Sequence, residues 1–408
     1  MREGHEFSWF LIEEEDHRLL KNTLKGLIPP PLEEPPKFSD FDLILFDSTG
    51  HGELADEAAK ETPTIGDSSL ASRLEDDRLF GIQVMEQCGI EVPPYEVFQN
   101  PDGARKFLEQ RPKRYVYKPF EPEDPTEHQE SDATYVSDSA EDMLRCIEKL
   151  FVRALEQPFL LQEVVEGTEV STEGYFDGHI FHLINHTYET KKLMSGDYGP
   201  NTGCSGNLIC IPRGTKRLVQ CALLPLTQFL RDSCFRGPID VNTIVNENHA
   251  YALELTPRFG YDSDATMFSM LDGDLGAFLY GIAVGEMESA PPLTHDYAAS
   301  VRYSVPPYPT EVKGKHPRGL PITGIAVEDA WRDCYLYDAE SDGEEGLETT
   351  GTTGFVCSPI ARGNTPEGAW SGVHRKCENL KIPNAQARDD VEENTLKRLA
   401  IVRELGWD

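Results

Sequence analysis

Two periods alternate along the chain. Leu43 to Phe46 is an unbroken apolar run of strand length, followed by the polar-glycine turn Asp47 to Gly52 and a helical stretch, Glu53 to Lys60. That order is one βα unit of a parallel sheet. Pro63 to Gly66 predicts the next short strand, and Ser68 or Ser69 the cap of a helix running to Cys88. Upstream, Phe7 to Lys25 has the spacing of an amphipathic helix, and Pro29 to Pro36 is a connector. Farther on, Arg114 to Pro119, Phe159 to Val165, Thr168 to Phe176 and His179 to Ile184 predict strands, the last two joined by a hairpin turn at Asp177 and Gly178. Gly237 to Val245 and Tyr251 to Leu255 predict a strand pair around the turn Asn246 to His249. Asp142 to Glu156, Leu218 to Arg231 and Leu275 to Val284 predict helices. Past about residue 295 the segments become short and β-rich: Ala298 to Val305, Ile322 to Val327, Cys334 to Tyr337 and Gly354 to Cys357, with Asp338 to Thr353 as an acidic loop and a last helix over Asp389 to Leu405.

Length and composition narrow the function classes. At 408 residues the chain exceeds one small core, so two to four domains or subdomains are expected. There is no apolar run of membrane-spanning length and no signal-like start, and the nine cysteines form no Cys-x-x-Cys pair. These features fit a reducing, cytoplasmic setting. The formal charge of −33 opposes broad binding to nucleic acid or to anionic membranes. It is read as a solubilising surface, and it requires any anionic nucleotide to be captured locally by a few cations and a metal.

Several polar residues interrupt the apolar pattern where chemistry would need them. Lys118 ends a strand, and its ammonium can neutralise phosphate oxygens. Asp240 and Glu254 fall on two predicted neighbouring strands; if antiparallel, their carboxylates can share a face and chelate magnesium, with Asn242 on the same face. The alternative for such an acid is a salt bridge, with Arg258 as the available partner. Gly196 to Gly203, with Asp197, Asn201 and Thr202, offers exposed backbone N–H groups for an anion. Lys192 before it and Arg258 after the metal strand add positive charge. No G-x-S-x-G, H-E-x-x-H or P-loop sequence is present. His182 and His186 lie in strand-like surroundings, which argues against a two-histidine metal face.

Taken together, Gly167 to Gly178, Gly196 to Gly203 and Leu253-Glu254-Leu255-Thr256-Pro257-Arg258-Phe259-Gly260 resemble the ribose, substrate and metal segments of the phosphoribosylamine–glycine ligase-like ATP-grasp family. The resemblance runs over most of the chain. It implies an α/β (α+β) fold with an ATP-grasp core over 79–295 (lid subdomain about 113–163), a shortened N-terminal parallel-sheet domain over 1–78 and a small C-terminal β-rich domain over 296–408. It implies that Lys118 and Arg78 hold phosphates, that Gln162, Glu163 and Val165 line the adenine segment, and that Glu169 meets the ribose. Four departures stand out. The family's opening strand and Gly-Gly-Arg-Glu-His turn have no counterpart; Arg78 replaces a second lysine; Glu121 to Pro125 replaces a glycine-rich lid; and Thr256 replaces an asparagine that is the second metal ligand.

The expected reaction is ATP- and Mg²⁺-dependent joining of a carboxylate to an amine through an acyl phosphate. Arg258 and the Asn201-Thr202-Gly203 backbone would stabilise developing charge, and Asp197 would orient the amine. The expected partners are small molecules, an amino acid and an amine such as phosphoribosylamine, with a monomeric or homodimeric protein. The alternatives are an ATP-grasp ligase acting on a different amine and a non-catalytic nucleotide-binding module.

Overall fold

The computed structural model describes residues 4–119, 134–150, 158–214, 216–310, 316–343 and 346–408. The expected acidic replacement of the lid, Glu121 to Pro125, lies outside the described residues.

In chain order the first elements are α1 (Glu14–Leu20), β1 (Ile44–Leu45), α2 (Gly52–Ala58), β2 (Thr64–Ile65), α3 (Ser69–Asp76) and α4 (Arg78–Gln87). Strands β1 and β2 pair in parallel, as a βα unit requires. The helix expected over Phe7 to Lys25 forms only at α1. Its front end is extended because Trp9 is used in tertiary contacts: its carbonyl accepts from Leu32 N–H and its ring N–H donates to Pro29 O. The helix expected to run unbroken to Cys88 divides at Asp77, whose carboxylate caps α4 by accepting from Phe80 N–H. Ser68 caps α3 as predicted, accepting from Ala71 N–H.

A four-stranded antiparallel sheet follows, in the order β3-β6-β4-β5, built from β3 (Tyr95–Phe98), β4 (Tyr115–Pro119), β5 (Tyr135–Val136) and β6 (Phe159–Glu163). Helices α5 (Pro101–Gln110) and α6 (Ala140–Arg145) cover one side, with Leu108, Tyr115, Tyr117, Met143 and Phe159 as their core. Of the segment expected as one helix over Asp142 to Glu156, the described part passes from α6 into a wider π turn, Cys146–Leu150, and residues 151–156 lie outside the described residues.

The largest element is a nine-stranded sheet. Its first part comprises β7 (Thr168–Phe176), β8 (Phe181–Met194), β9 (Tyr198–Cys210), β10 (Gly237–Val245) and β11 (Ala250–Thr256), in the spatial order β11-β10-β7-β8-β9. Between β9 and β10 the predicted helix Leu218 to Arg231 is broken by Pro225 into a π turn, a 3₁₀ turn and α7 (Thr227–Asp232). After β11 come α8 (Tyr261–Phe268) and α9 (Leu275–Val284).

The C-terminal strands continue the same sheet. β12 (Tyr297–Val301) pairs with β9, and the sheet extends through β18 (Phe355–Gly363) to β13 (Tyr303–Ser304). Between these lie β14 (Pro321–Ile322), α10 (Val327–Asp333), β15 (Cys334–Leu336), β16 (Ala339–Ser341) and β17 (Leu347–Thr349). Ile322 to Val327, expected as a strand, is strand only at β14, and α10 begins at Val327. Asp338 to Thr353, expected as a loop, contains β16 and β17; the Asp338 carboxylate organises its end by accepting from Thr352, Thr353 and Gly354 N–H. The chain closes with α11 (Pro366–Asn379) and α12 (Val391–Glu404).

The sheet's two faces carry different side chains. On one, Ile239, Val241, Val170, Tyr188 and Leu208 pack with Leu223, Leu399 and Val402 of the covering helices. The other carries a polar stripe on β11, β10, β7 and β8, which gives way to Tyr175, Ile209 and Ala298 under Met267 and Phe278 of α8 and α9.

Candidate functional site

The stripe begins at the β10–β11 pair. These strands are antiparallel, with Asn242 opposite Glu254 and Asp240 opposite Thr256. On the other side of β10, Asp240 faces Glu173 and Asn242 faces Ser171. Directly opposed residues share a face, so all four residues expected to bind metal lie on one surface. Asn242 Nδ2 ties the row together, donating to Glu169 Oε1 at 2.9 Å and Glu254 Oε1 at 3.4 Å.

Three cations answer these acids. Lys191 of β8 forms an ion pair with Glu169 at 2.7 Å. Lys118 of β4 reaches across from the smaller sheet, its ammonium 3.4 Å from the Leu253 carbonyl, and Arg78 opens α4 with a bond to Thr134 Oγ1 at 3.1 Å. Burial of Lys118, opposed by Glu254 and reinforced by Arg78 and Lys191, brings its pKa down to about 8. Solvent reaches the Glu254 side chain, yet burial between the two sheets is the largest influence on it and acts to raise its pKa. Lys191, Lys118 and Arg78 together outweigh that effect and hold its carboxyl below the ordinary range. The site therefore keeps Glu254 ionised beside two ammonium groups and a guanidinium.

Deeper in the stripe acid exceeds base. Burial, with help from Glu189, pushes Asp240 up to about 7, and burial pushes Asp264 up to about 7 as well. Glu173 is raised by burial and by Asp264 and Asp240. Asp240 Oδ1 is sealed from solvent with no donor among the described residues. An orphaned carboxylate oxygen beside Glu254, Asn242 and Thr256 fits a hard divalent cation such as Mg²⁺. Among the described residues no three acidic, His or Cys side chains are placed to hold a metal alone. The amide, the hydroxyl and phosphate oxygens would have to complete the shell.

Strand parity sorts the adenine segment. Lys118 pairs with Leu160, and Val116 with Gln162, so Lys118 and Gln162 share the face of the small sheet toward the central one. Gln162 is buried, and its Nε2 finds no acceptor among the described residues. Glu163 lies on the opposite face, where both its carboxylate oxygens accept from Lys113 Nζ at 2.8 Å. Its side chain is thus held away from the cleft, a correction to its expected role; its backbone and Val165 remain in the connection to β7. Glu169 lies on the cleft face of β7, bonded to Lys191 and Asn242.

Gly196 to Gly203, expected to offer exposed backbone N–H groups, is the turn of the β8–β9 hairpin and the first part of its second strand. Lys192 pairs with Asn201 and Met194 with Tyr198. Positive φ at Asp197 (58°) and Gly199 (81°) makes the tight reversal. The Asp197 carboxylate accepts from Arg388 at 2.9 Å. Thr202 Oγ1 donates to Lys191 O, and Arg302 donates to Thr202 O. Gly203 also has positive φ, 71°. Lys192 gives its carbonyl to Arg388, whereas its neighbour Lys191 is the lysine that meets the acids. Arg258 pairs with Glu75 at 3.1 Å rather than with Glu254, and burial raises Glu75 to about 7.

Sequence reasoning missed Lys191, Glu75, Glu173, Arg302 and Arg388. For Lys191 the signal was partial: with Glu169 inward on β7, one of two adjacent lysines on the paired β8 must face it, and only the hairpin register decides which. His182 and His186 lie in β8, where His182 pairs with Asp177 and His186 with Thr172.

A family model described as the ATP-grasp (A) domain of phosphoribosylglycinamide synthetase matches residues 76–264. Phosphoribosylamine–glycine ligase of Rhodopirellula baltica is 23% identical over 347 residues, covering 81% of this chain and 77% of that protein. The Thermotoga maritima protein of the same name is 24% identical over 331 residues, covering 78% of each. The crystal structure of a Thermotoga maritima phosphoribosylamine–glycine ligase superposes with a TM-score of 0.69 at 18% identity, covering 88% of this chain and 90% of that one. A biotin carboxylase domain from Hydrogenobacter thermophilus, solved with MgADP, gives 0.60 at 13% identity, covering 90% of this chain and 83% of that one. Residues 76–264 therefore match an ATP-grasp domain of the phosphoribosylglycinamide synthetase kind, and the chain as a whole is similar in sequence and fold to phosphoribosylamine–glycine ligases.

Proposed function

We propose that this protein is an ATP- and Mg²⁺-dependent ligase that joins a carboxylate to an amine through an acyl phosphate. The observation that carries the reading is the convergence of Lys118, Arg78 and Lys191 on ionised Glu254 across two sheets. Triphosphate is neutralised from the small-sheet side by Lys118 and Arg78. Glu254, Asp240, Asn242 and Thr256 would hold magnesium, which supplies charge neutralisation on the phosphates. Gln162 and the backbone through Val165 take the adenine edge, and Glu169 takes the ribose. The carboxylate of the first substrate attacks the γ-phosphorus and ADP leaves. The backbone at Asn201, Thr202 and Gly203 holds that carboxylate and the charge it develops, with Lys192 and Arg258 as the proposed cations. The amine then attacks the acyl carbon and phosphate leaves. No protein nucleophile is needed, so positioning and charge account for catalysis.

The names of the relatives favour glycine and phosphoribosylamine as the pair, which would place the protein in purine biosynthesis. The reading includes a cytoplasmic protein, monomeric or homodimeric, acting on small molecules. No helix among the described residues is long and apolar enough to cross a membrane. The three-part division at about residues 78 and 295 belongs to the same reading.

The test is ADP formation from ATP and Mg²⁺ with a panel of amino acids, with and without freshly made phosphoribosylamine. ADP that requires both glycine and phosphoribosylamine supports the purine reading. ADP with another pair keeps the ligase and replaces the substrates. Saturable ATP binding without turnover for any pair contradicts the ligase reading and supports a binding module.

A further inference from the structure

The hairpin that carries Asp197, Asn201, Thr202 and Gly203 does not stand on its own sheet alone. Arg388, from the segment just before α12, lies beneath its tip with a side chain wholly removed from solvent. Its guanidinium makes four bonds. Nη1 donates to Lys192 O and to Asp197 Oδ1, both at 2.9 Å, while Nε and Nη2 donate to the two oxygens of Asp390, each at 2.8 Å. Asp390 in turn accepts from Gly196 N–H at 2.8 Å. One arginine and its carboxylate therefore grip the hairpin on both sides of the turn. The far side of the hairpin rests on a second buried arginine: Arg302 donates to Thr202 O at 2.8 Å and is anchored to Asp262 at 2.6 Å.

Two buried guanidinium groups so close could instead form an anion site. The space between them decides against it. The cavity lined by Ser205, Arg302, Ser304, Tyr308, Gln386 and Arg388 measures only about 10 Å³, which is room for roughly one water molecule. The donors of Arg388 are also directed at protein oxygens rather than into that space.

We infer that Arg388 is a positioning residue for the proposed ligation, holding the Ser195–Gly203 hairpin so that its backbone meets the carboxylate substrate. The inference rests on the ligase reading for its kinetic consequence, and on hydrogen bonds alone for its structural one. It reassigns Asp197: its carboxylate is the strut through which Arg388 fixes the turn, rather than the group that orients the amine. It also makes the C-terminal segment 386–390 part of the active site. Lysine cannot replace the arginine, because one ammonium cannot reproduce a planar fork that serves three acceptor groups at once.

The test uses the full-length protein with Arg388→Lys and Asp197→Asn. Hydrogen exchange is followed at residues 192–203, MgADP affinity by calorimetry, and ADP formation with the amino acid and amine pair that the wild-type chain turns over. Both substitutions are expected to speed exchange in the hairpin and to lower kcat/KM for the carboxylate, by about 100-fold in Arg388→Lys, as misplacement of a reacting group does. MgADP affinity stays within about twofold, a split that a general loss of structure would not give. Unchanged hairpin exchange in Arg388→Lys overturns the inference, as does an equal loss of MgADP affinity and carboxylate kcat/KM. If the wild-type chain turns over no pair, the ligase reading fails. Faster hairpin exchange with intact MgADP binding would then still establish Arg388 as the residue that shapes this hairpin.

Discussion

The two faces of the central sheet are made by the same strands and obey opposite rules. On the helix-covered face, Val241, Val170, Tyr188 and Leu208 are buried in apolar company. One residue along each strand, the other face presents Asp240, Glu169, Glu189 and Asn207. The alternation is the ordinary period of a strand, so the difference lies in what each face is built to meet. An apolar face gains stability from its covering helices. An acidic face costs stability on its own, and Asp240, Asp264 and Glu173 show that cost in their raised pKa values. In the proposed ligase a cation and a phosphate chain would complete such a face.

Substitutions on the two faces should therefore fail in different ways. The largest effect is expected for Glu254→Gln, which keeps shape and removes the ionised acid at the meeting point of three cations. ADP formation should fall by at least about 100-fold, with circular dichroism and melting temperature nearly unchanged. Equal loss of melting temperature would erase the distinction between the faces. Next, Lys118→Ala should weaken MgATP binding by about 10-fold or more, the size of one charge-assisted contact, measured by calorimetry.

Leu208→Ala, on the covered face, should give the mirror result. Leu208 is fully buried, and its truncation should cost about 2–5 kcal/mol of stability in denaturant unfolding while the folded fraction keeps its kcat. A further difference is expected in pH dependence. Asp240, Asp264 and Glu75 have folded pKa values of about 7, above those of the unfolded chain. Between the unfolded value and about 7 the folded state binds more protons, so unfolding free energy falls as pH rises through that window. Without nucleotide or metal, the melting temperature should drop between pH 5 and pH 8. Mg²⁺ with ADP should flatten the drop. The smallest effect is expected at Lys113→Ala. That pair sits at an exposed edge and is worth at most about 1 kcal/mol, and MgATP affinity should stay within about twofold. A larger change would return the Glu163 side chain to the adenine site.

Much of the acidic face was legible in the sequence, because an acid inside an apolar alternation is conspicuous and strand pairing carries it to a defined face. Gly237 to Val245 forms its strand over those residues, and Glu254 and Asp240 share a surface as expected. Legibility ended where a choice depended on register or on distant partners. Lys191 and Lys192 are equivalent until the hairpin bulges are known. Glu163 reads as a nucleotide contact until the pairing of β4 and β6 turns it toward Lys113. Arg258 was free to meet Glu254 until α3 brought Glu75 to it. Helices α5 and α11 had local signals in Asn100-Pro101 and Thr365-Pro366, a capping side chain followed by proline at the first helical position. Arg388 had none, since its role exists only once the chain's last segment returns under a hairpin about two hundred residues earlier.

The central claim is that a carboxylate oxygen becomes a phosphate oxygen. It is tested most directly by running the reaction with a heavy-oxygen-labelled carboxylate substrate and analysing the released phosphate by mass spectrometry. An acyl phosphate transfers one labelled oxygen to each phosphate formed with ADP, and Glu254→Gln should remove both products together. Unlabelled phosphate accompanying ADP would mean that water attacks the nucleotide, and the ligase account would be wrong.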